Sequence, residues 1–301
     1  MLSNTTPVRQ VLRGLLLGVP LLAASLVMTG GTASAAVPTP VGLGTATTFA
    51  IVAGQGISNT GAGTAITGDI GNSPGSGSQI VGLTCTPAQV TGTIYSVDGA
   101  GPTTTCAQNN PGFLTTVTND ARTAFNHTSA LPGATALSNP DLAGQTLVSG
   151  IYSFGAPASN LSGTVTLDAQ GNPNAVWIMQ ASSSLITSPG SVVQFANLPA
   201  GVSAAQLACN VFWTAGSSAT IDTTSNFIGT ILASASITVN TGATVTGRLL
   251  AANAAGAGGS VTLDTDSIVR PPGCAVLPAG TGGFVATAAP APVVVQPAFT
   301  G

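Results

Sequence analysis

Threonine hydroxyls at a fixed spacing are the groups of this chain most suited to chemistry. The phrase Ser218-Ala-Thr-Ile-Asp-Thr-Thr-Ser-Asn-Phe-Ile-Gly-Thr-Ile-Leu-Ala233 returns as Ser236-Ile-Thr-Val-Asn-Thr-Gly-Ala-Thr-Val-Thr-Gly-Arg-Leu-Leu-Ala251. Thr220 falls on Thr238, Ile221 on Val239, Asp222 on Asn240 and Gly229 on Gly247, an offset of 18 residues. A unit this short cannot bury its own apolar face, so it must stack on copies of itself, which sets each threonine above the last. The chemistry of such a file is surface recognition through ordered hydroxyls.

Catalysis finds little to work with. The eight acidic residues are all Asp, there is no Glu or Lys, and His127 is the single histidine. Glycoside cleavage needs two carboxyl groups about 5–10 Å apart. Only Asp264 and Asp266 are close in sequence, and they read as a solvated turn. His127 falls at the end of a predicted helix, where a cation suits the dipole. No Cys-x-x-Cys or Cys-x-His spacing occurs, so neither a metal nor a cofactor is expected.

The elements that carry the threonines follow from period. Apolar and hydroxyl residues alternate within each phrase, as in a strand with one buried face. Ile221, Val239 and Leu263 should point inward, and Thr220, Thr238 and Thr262 outward. Ser260-Val-Thr-Leu-Asp-Thr265 repeats the phrase after the insertion Ala254–Gly259, and Thr164-Val-Thr-Leu-Asp168 carries it upstream. Asn59-Thr-Gly-Ala62 matches Asn240-Thr-Gly-Ala243, which places coils near both ends of the chain. Asp168, Asp222, Asn240 and Asp264 align equally well, but Asp or Asn before such residues closes corners by bonding its own backbone. Strands turning at Gly and Asn every few residues read as a mainly β fold, a β-solenoid.

One segment departs from this pattern. Over 112–130, Phe113, Leu114, Val117, Ala121, Ala124 and Phe125 recur at helical spacing, with Pro111 before and Pro132-Gly133 after. This predicts one long helix lying along a flank of the stack. Residues 72–111, dense in Gly, Pro, Thr and Asn, read as a capping region.

Composition defines the setting. Arg9 and Arg13 precede an apolar run and the small-residue site Ala33-Ser34-Ala35, which predicts a signal peptide over 1–35 and a secreted, extracellular protein. The solenoid domain then spans 36–274, and an Ala/Pro-rich tail, expected to be disordered, follows over 275–301. Only 4% of residues are charged while 44% are hydrophobic. Outside the leader the cations are Arg122, Arg248 and Arg270, too few to neutralise phosphates, so nucleic acid is not an expected partner. No second long apolar segment calls for membrane insertion after cleavage, and a monomer is expected. Secretion favours disulfides. Of the three possible pairings we favour Cys85 with Cys106, closing a loop, and Cys209 with Cys274, clamping the repeat block.

With these pieces in order, the chain resembles the bacterial and fungal ice-binding protein family. The resemblance rests on Leu43-Gly-Thr-Ala-Thr-Thr-Phe-Ala-Ile-Val-Ala53, Thr67-Gly-Asp-Ile-Gly71, Asn174-Ala-Val-Trp-Ile-Met-Gln180, Cys209-Asn-Val-Phe-Trp213 and Gly229-Thr-Ile-Leu-Ala233. It implies a discontinuous right-handed β-helix with a helix alongside and N-terminal coils interleaved with C-terminal ones. It also implies adsorption to an ice crystal surface through a flat solenoid face, and the scarcity of charge fits this, since charges would hold liquid-like hydration. A threonine file suits such adsorption, because strands repeat about every 4.7–4.9 Å and β-branching fixes each methyl and hydroxyl. The first candidate file is Thr166, Thr220, Thr238 and Thr262; the rival face comprises Ser225, Thr230, Thr244 and Thr246. A secreted adhesin or matrix protein is the alternative role.

Overall fold

The computed structural model describes residues 38–85, 89–101, 105–154, 158–251 and 258–283. The expected leader, most of the insertion after Ala251 and most of the tail lie outside these residues. What is described is a stack of parallel strands in which the chain visits three faces in turn. The faces share an interior of aliphatic and aromatic side chains, with Ile221, Val239 and Leu263 buried in it.

One face contains ten strands, running in space from Ala107–Asn109 at one end to Thr135–Ala136 at the other. Near its middle the first strand of the fold, Phe49–Ala53, pairs with Thr244–Ala251, so the N-terminal coils close onto the C-terminal ones. From there the chain winds outward to one end of the stack. It then passes through a helix to the far end and winds back, which is why sequence order and spatial order differ.

That helix is Pro111–Ala130. Pro111 occupies its first turn, where a missing N–H costs nothing, and Asn110 caps it by accepting the Phe113 N–H at 3.3 Å. Leu114, Val117, Ala121, Ala124 and Phe125 form its buried stripe, against Phe49, Val52, Ile178, Phe212, Leu232 and Leu250 of the ten-stranded face. The approach is close at Gly71, where a Cβ would sit 2.5 Å from Leu114 Cδ2. Phe49, Tyr95 and Phe113 pack their rings at 5.1–5.9 Å between centroids at that end. Twenty residues give about 30 Å of helix. Ten strands span about 43 Å, so the helix is shorter than the face it covers. A second helix, Ala204–Leu207, is a single turn closed by a capping box between Ser203 and Gln206.

Residues 72–111 are more regular than expected of a cap. They supply Ile80–Val81, Val90–Thr91, Ile94–Ser96 and Ala107–Asn109, which form one end of the three faces. Cys85 is bonded to Cys106 across that end, and Cys209 to Cys274 beside the ten-stranded face.

Candidate functional site

The two faces not covered by the helix differ in width. The narrow face has seven short strands, and its register sets Asn160, Ile186, Thr220, Thr238, Thr262, Ser58 and Val81 in one outward file. Ser58 Oγ donates to Thr262 Oγ1 at 3.3 Å, so hydroxyls bond along the file. Each strand contributes about one outward residue, because patterns such as buried-partial-buried over Ala219–Ile221 leave room for no more.

The broad face has two long files, beside which three of its strands carry a further outward residue, Val148, Asp168 and Ala196. One file runs Thr164, Val192, Asn226, Thr244, Ser267, Ala65 without a break in register. The other holds Thr146, Thr166 and Gln194 on one side and Ile228, Thr246, Val269, Thr67 and Thr91 on the other. Neither file contains a charged side chain. Gln194 Nε2 donates to Thr166 Oγ1 at 3.1 Å and Thr244 Oγ1 to Asn226 Oδ1 at 3.3 Å, which ties neighbouring rungs together. Thr67, Thr91, Thr146, Asn226 and Thr244 are exposed, while Thr164, Thr166, Thr246 and Ser267 are half-buried, as Thr220, Thr238 and Thr262 are on the narrow face.

These registers regroup the residues singled out from the sequence. Thr220, Thr238 and Thr262 do share a file, but Thr166 stands on the broad face, opposite Thr146 and Gln194. Of the rival set, Thr244 and Thr246 are on the broad face, and the other two are not on any surface. Ser225 is 1% exposed at a corner, bonding the Ser188 carbonyl at 3.1 Å. Thr230 is fully buried on the helix-covered face, where its hydroxyl accepts from Arg248 at 3.3 Å. The strand Asn226–Ala233 crosses from one face to another at Gly229, with φ +120°, so residues before and after that glycine face different layers. Local spacing does not single out Thr91, Thr146 and Ser267 as face residues, because their strands are only two to three residues long, too short to show alternation.

The match of Asn59 to Asn240 also slips by one. Asn59 pairs with Leu263 and is buried, donating to the carbonyls of Gly61 at 2.7 Å and Gly82 at 2.9 Å and accepting from Thr64 at 2.5 Å. A one-residue slip reverses every side chain on a strand. The true partner of Thr262 is therefore Ser58.

The carboxylates build corners. Asp222 accepts the Thr223 N–H at 2.7 Å and the Asn240 amide at 3.0 Å, and the Asn240 bond, followed by that of Thr223, holds its pKa below the usual range. Asp264, bonded by the Thr241 hydroxyl at 2.5 Å, is likewise lowered. Asp266 goes the other way: burial pushes it up to about 7, with a smaller push from Asp264. A raised and a lowered carboxyl side by side are the arrangement an acid–base pair would need. Here, however, Asp266 is 1% exposed and its oxygens accept the N–H groups of Ala243 at 3.2 Å and Asp264 at 2.7 Å, leaving no route for a substrate. Three cavities, of about 310, 230 and 40 Å³, are lined by no carboxylate and no histidine.

Asp266 instead predicts a pH dependence of stability. Its folded pKa lies above the ordinary 3.8, so its contribution is complete below about pH 4 and is lost as pH rises through 7. Thermal unfolding followed from pH 4 to 7 should show the melting temperature falling, and Asp266→Asn should flatten that slope while lowering the starting value. A wild-type melting temperature that climbs over the same range would contradict this assignment.

Comparison with known proteins meets this geometry. The profile of the Ice-binding-like family matches residues 51–269. An ice-binding protein of Nostoc sp. (strain HG1) is 38% identical over 75% of this chain and 72% of its own. One of Colwellia sp is 36% identical over 84% and 92%. Among solved structures, a glycosylated ice-binding protein from Arctic yeast superposes with a TM-score of 0.65 at 29% identity, over 85% of this chain and 98% of that one. An ice-binding protein from an Antarctic biological consortium gives 0.64 at 36% identity, over 78% and 93%. With its stacked parallel strands, its helix-covered face and this degree of identity over most of its length, the chain belongs to the Ice-binding-like family.

Proposed function

We propose that this protein is a secreted, monomeric antifreeze protein that adsorbs to ice through its broad face, inhibiting growth and recrystallisation, and that it performs no catalysis. The observation that carries the reading is the pair of uncharged files on that face, Thr-rich and held at strand spacing by a core common to all three faces. Eight strands give a face about 34 Å long and, over most of that length, two residues wide. Rigid, β-branched side chains lose little entropy on contact, so many weak contacts can add. The carboxylates that would hold a liquid-like hydration shell stand at its corners and margins. The names of the relatives support the same reading. The winding we infer is that of a right-handed, discontinuous β-helix, and no helix among the described residues is long and apolar enough to cross a membrane.

The direct test is an ice assay on purified protein. At micromolar concentration it should shape a growing ice crystal and keep small grains from coarsening in a frozen sucrose film. Grains that coarsen as fast as in a serum albumin control, with unshaped crystals, would refute the proposal.

A further inference from the structure

Among the described residues Arg248 is the one large charged side chain buried in the fold, and no part of the proposed ice contact uses it. It is 1% exposed, on the helix-covered layer. Its Nε and Nη2 donate to the Thr47 carbonyl at 3.1 and 3.0 Å, and Nη1 donates to Thr230 Oγ1 at 3.3 Å. A guanidinium has five N–H donors, so two are left over, and every acceptor present is neutral. Among the described residues no carboxylate reaches it. The charge that acts on it is that of Arg270, a second cation, whose own Nε is buried without a partner.

Burying an unpaired cation is costly unless something neutralises it. Beside Arg248 lies a cavity of about 40 Å³, walled by Thr47, Asn210, Phe212 and the Cys209–Cys274 disulfide. We propose that this cavity binds one small monovalent anion of the chloride class. The cavity is small, and its volume suits a single ion. Water would fill the remaining donors but would leave the charge uncompensated, whereas an anion does both. Burial and Arg270 lower the guanidinium only to about 9, so it carries its charge at neutral pH. The ion would join three separate parts of the chain: the N-terminal turn at Thr47, the central strands at Thr230 and Arg248, and the disulfide loop. Its role is to hold the chain together, which is independent of the ice-binding reading.

The experiment uses the whole secreted protein. Thermal unfolding is compared in sodium chloride, sodium bromide and sodium gluconate at equal ionic strength, and a crystal grown in bromide is measured at the bromine absorption edge. Chloride and bromide are expected to raise the melting temperature by several degrees, with saturation, and an anomalous peak is expected in the cavity within hydrogen-bond distance of Arg248. Arg248→Met should lose the halide effect. If that variant does not fold, the wild-type peak and salt comparison decide alone. No peak, or a peak with equal melting temperatures in chloride and gluconate, which would mark an adventitious ion only, overturns the proposal.

Discussion

Replacing Thr246 by tyrosine is expected to lower ice-growth inhibition about tenfold, the equivalent of about 1.4 kcal/mol of adsorption energy, while leaving the melting temperature within a degree or two. Thr246 sits centrally in its file, between Ile228 and Val269, with Thr244 two residues away in the other file. Its side chain points outward from a strand whose inward neighbour, Val245, is buried, so a larger group meets solvent and leaves the core intact. The loss comes from geometry. A phenol ring standing above the plane props the crystal away from rungs about 4.8 Å to either side, and contacts that add only when made together fail together. Thr238→Tyr supplies the control, because it places the same ring at the same level on the narrow face. If the Thr238 variant loses activity and the Thr246 variant keeps it, the ice-contacting face is the narrow one.

The contrast between those two residues marks what the sequence could tell. The repeat from Ser218 to Ala251 stated its own register, because its two copies are adjacent coils with no insertion between them, and Thr220 and Thr238 do lie side by side. Thr166 carried the same local phrase, Thr-apolar-Asp, and occupies another face. Local alternation records inward against outward and says nothing of which side of a three-faced stack is meant; the corners decide that. Those corners use conformations that the sequence states unevenly. Gly242 has φ +73°, and its equivalents Thr224 and Thr265 reach +56° and +59° with β-branched side chains, where a turn read from composition would call for Gly or Asn. The helix was legible from apolar spacing and its flanking prolines. The anchoring of its N-terminal end was not, since Phe49 and Phe113 are 64 residues apart in sequence and meet each other and Tyr95 only once the chain has folded. Arg248 was legible only as a cation on a strand, and its burial depends on Thr47, 201 residues away.

Gly247→Ala should destabilise the fold more than any of the surface changes, by about 3 kcal/mol or more, a large part of the about 5–15 kcal/mol that holds a domain together. A Cβ at this position would lie 1.8 Å from the Gly229 carbonyl oxygen and 2.6 Å from its carbon. Both are backbone atoms of the neighbouring strand, so no rotamer change relieves the clash, and the two strands must separate. They are the two continuous eight-residue strands that pass from the broad face to the helix-covered one, and they sit in the middle of the stack. Separation there would weaken pairing on two faces and would move Arg248, the next residue, off the Thr47 carbonyl. At about 2–4 °C per kcal/mol for a domain of this size, the melting temperature should fall by roughly 10 °C. Gly242→Ala separates space from conformation: its Cβ meets nothing closer than 3.8 Å, yet φ is +73°. It should cost only the left-handed penalty of about 1 kcal/mol. Equal losses at the two glycines would mean that the neighbouring strand yields cheaply to the added Cβ, and the close approach of the two central strands would then lose its place as the feature that fixes glycine at position 247.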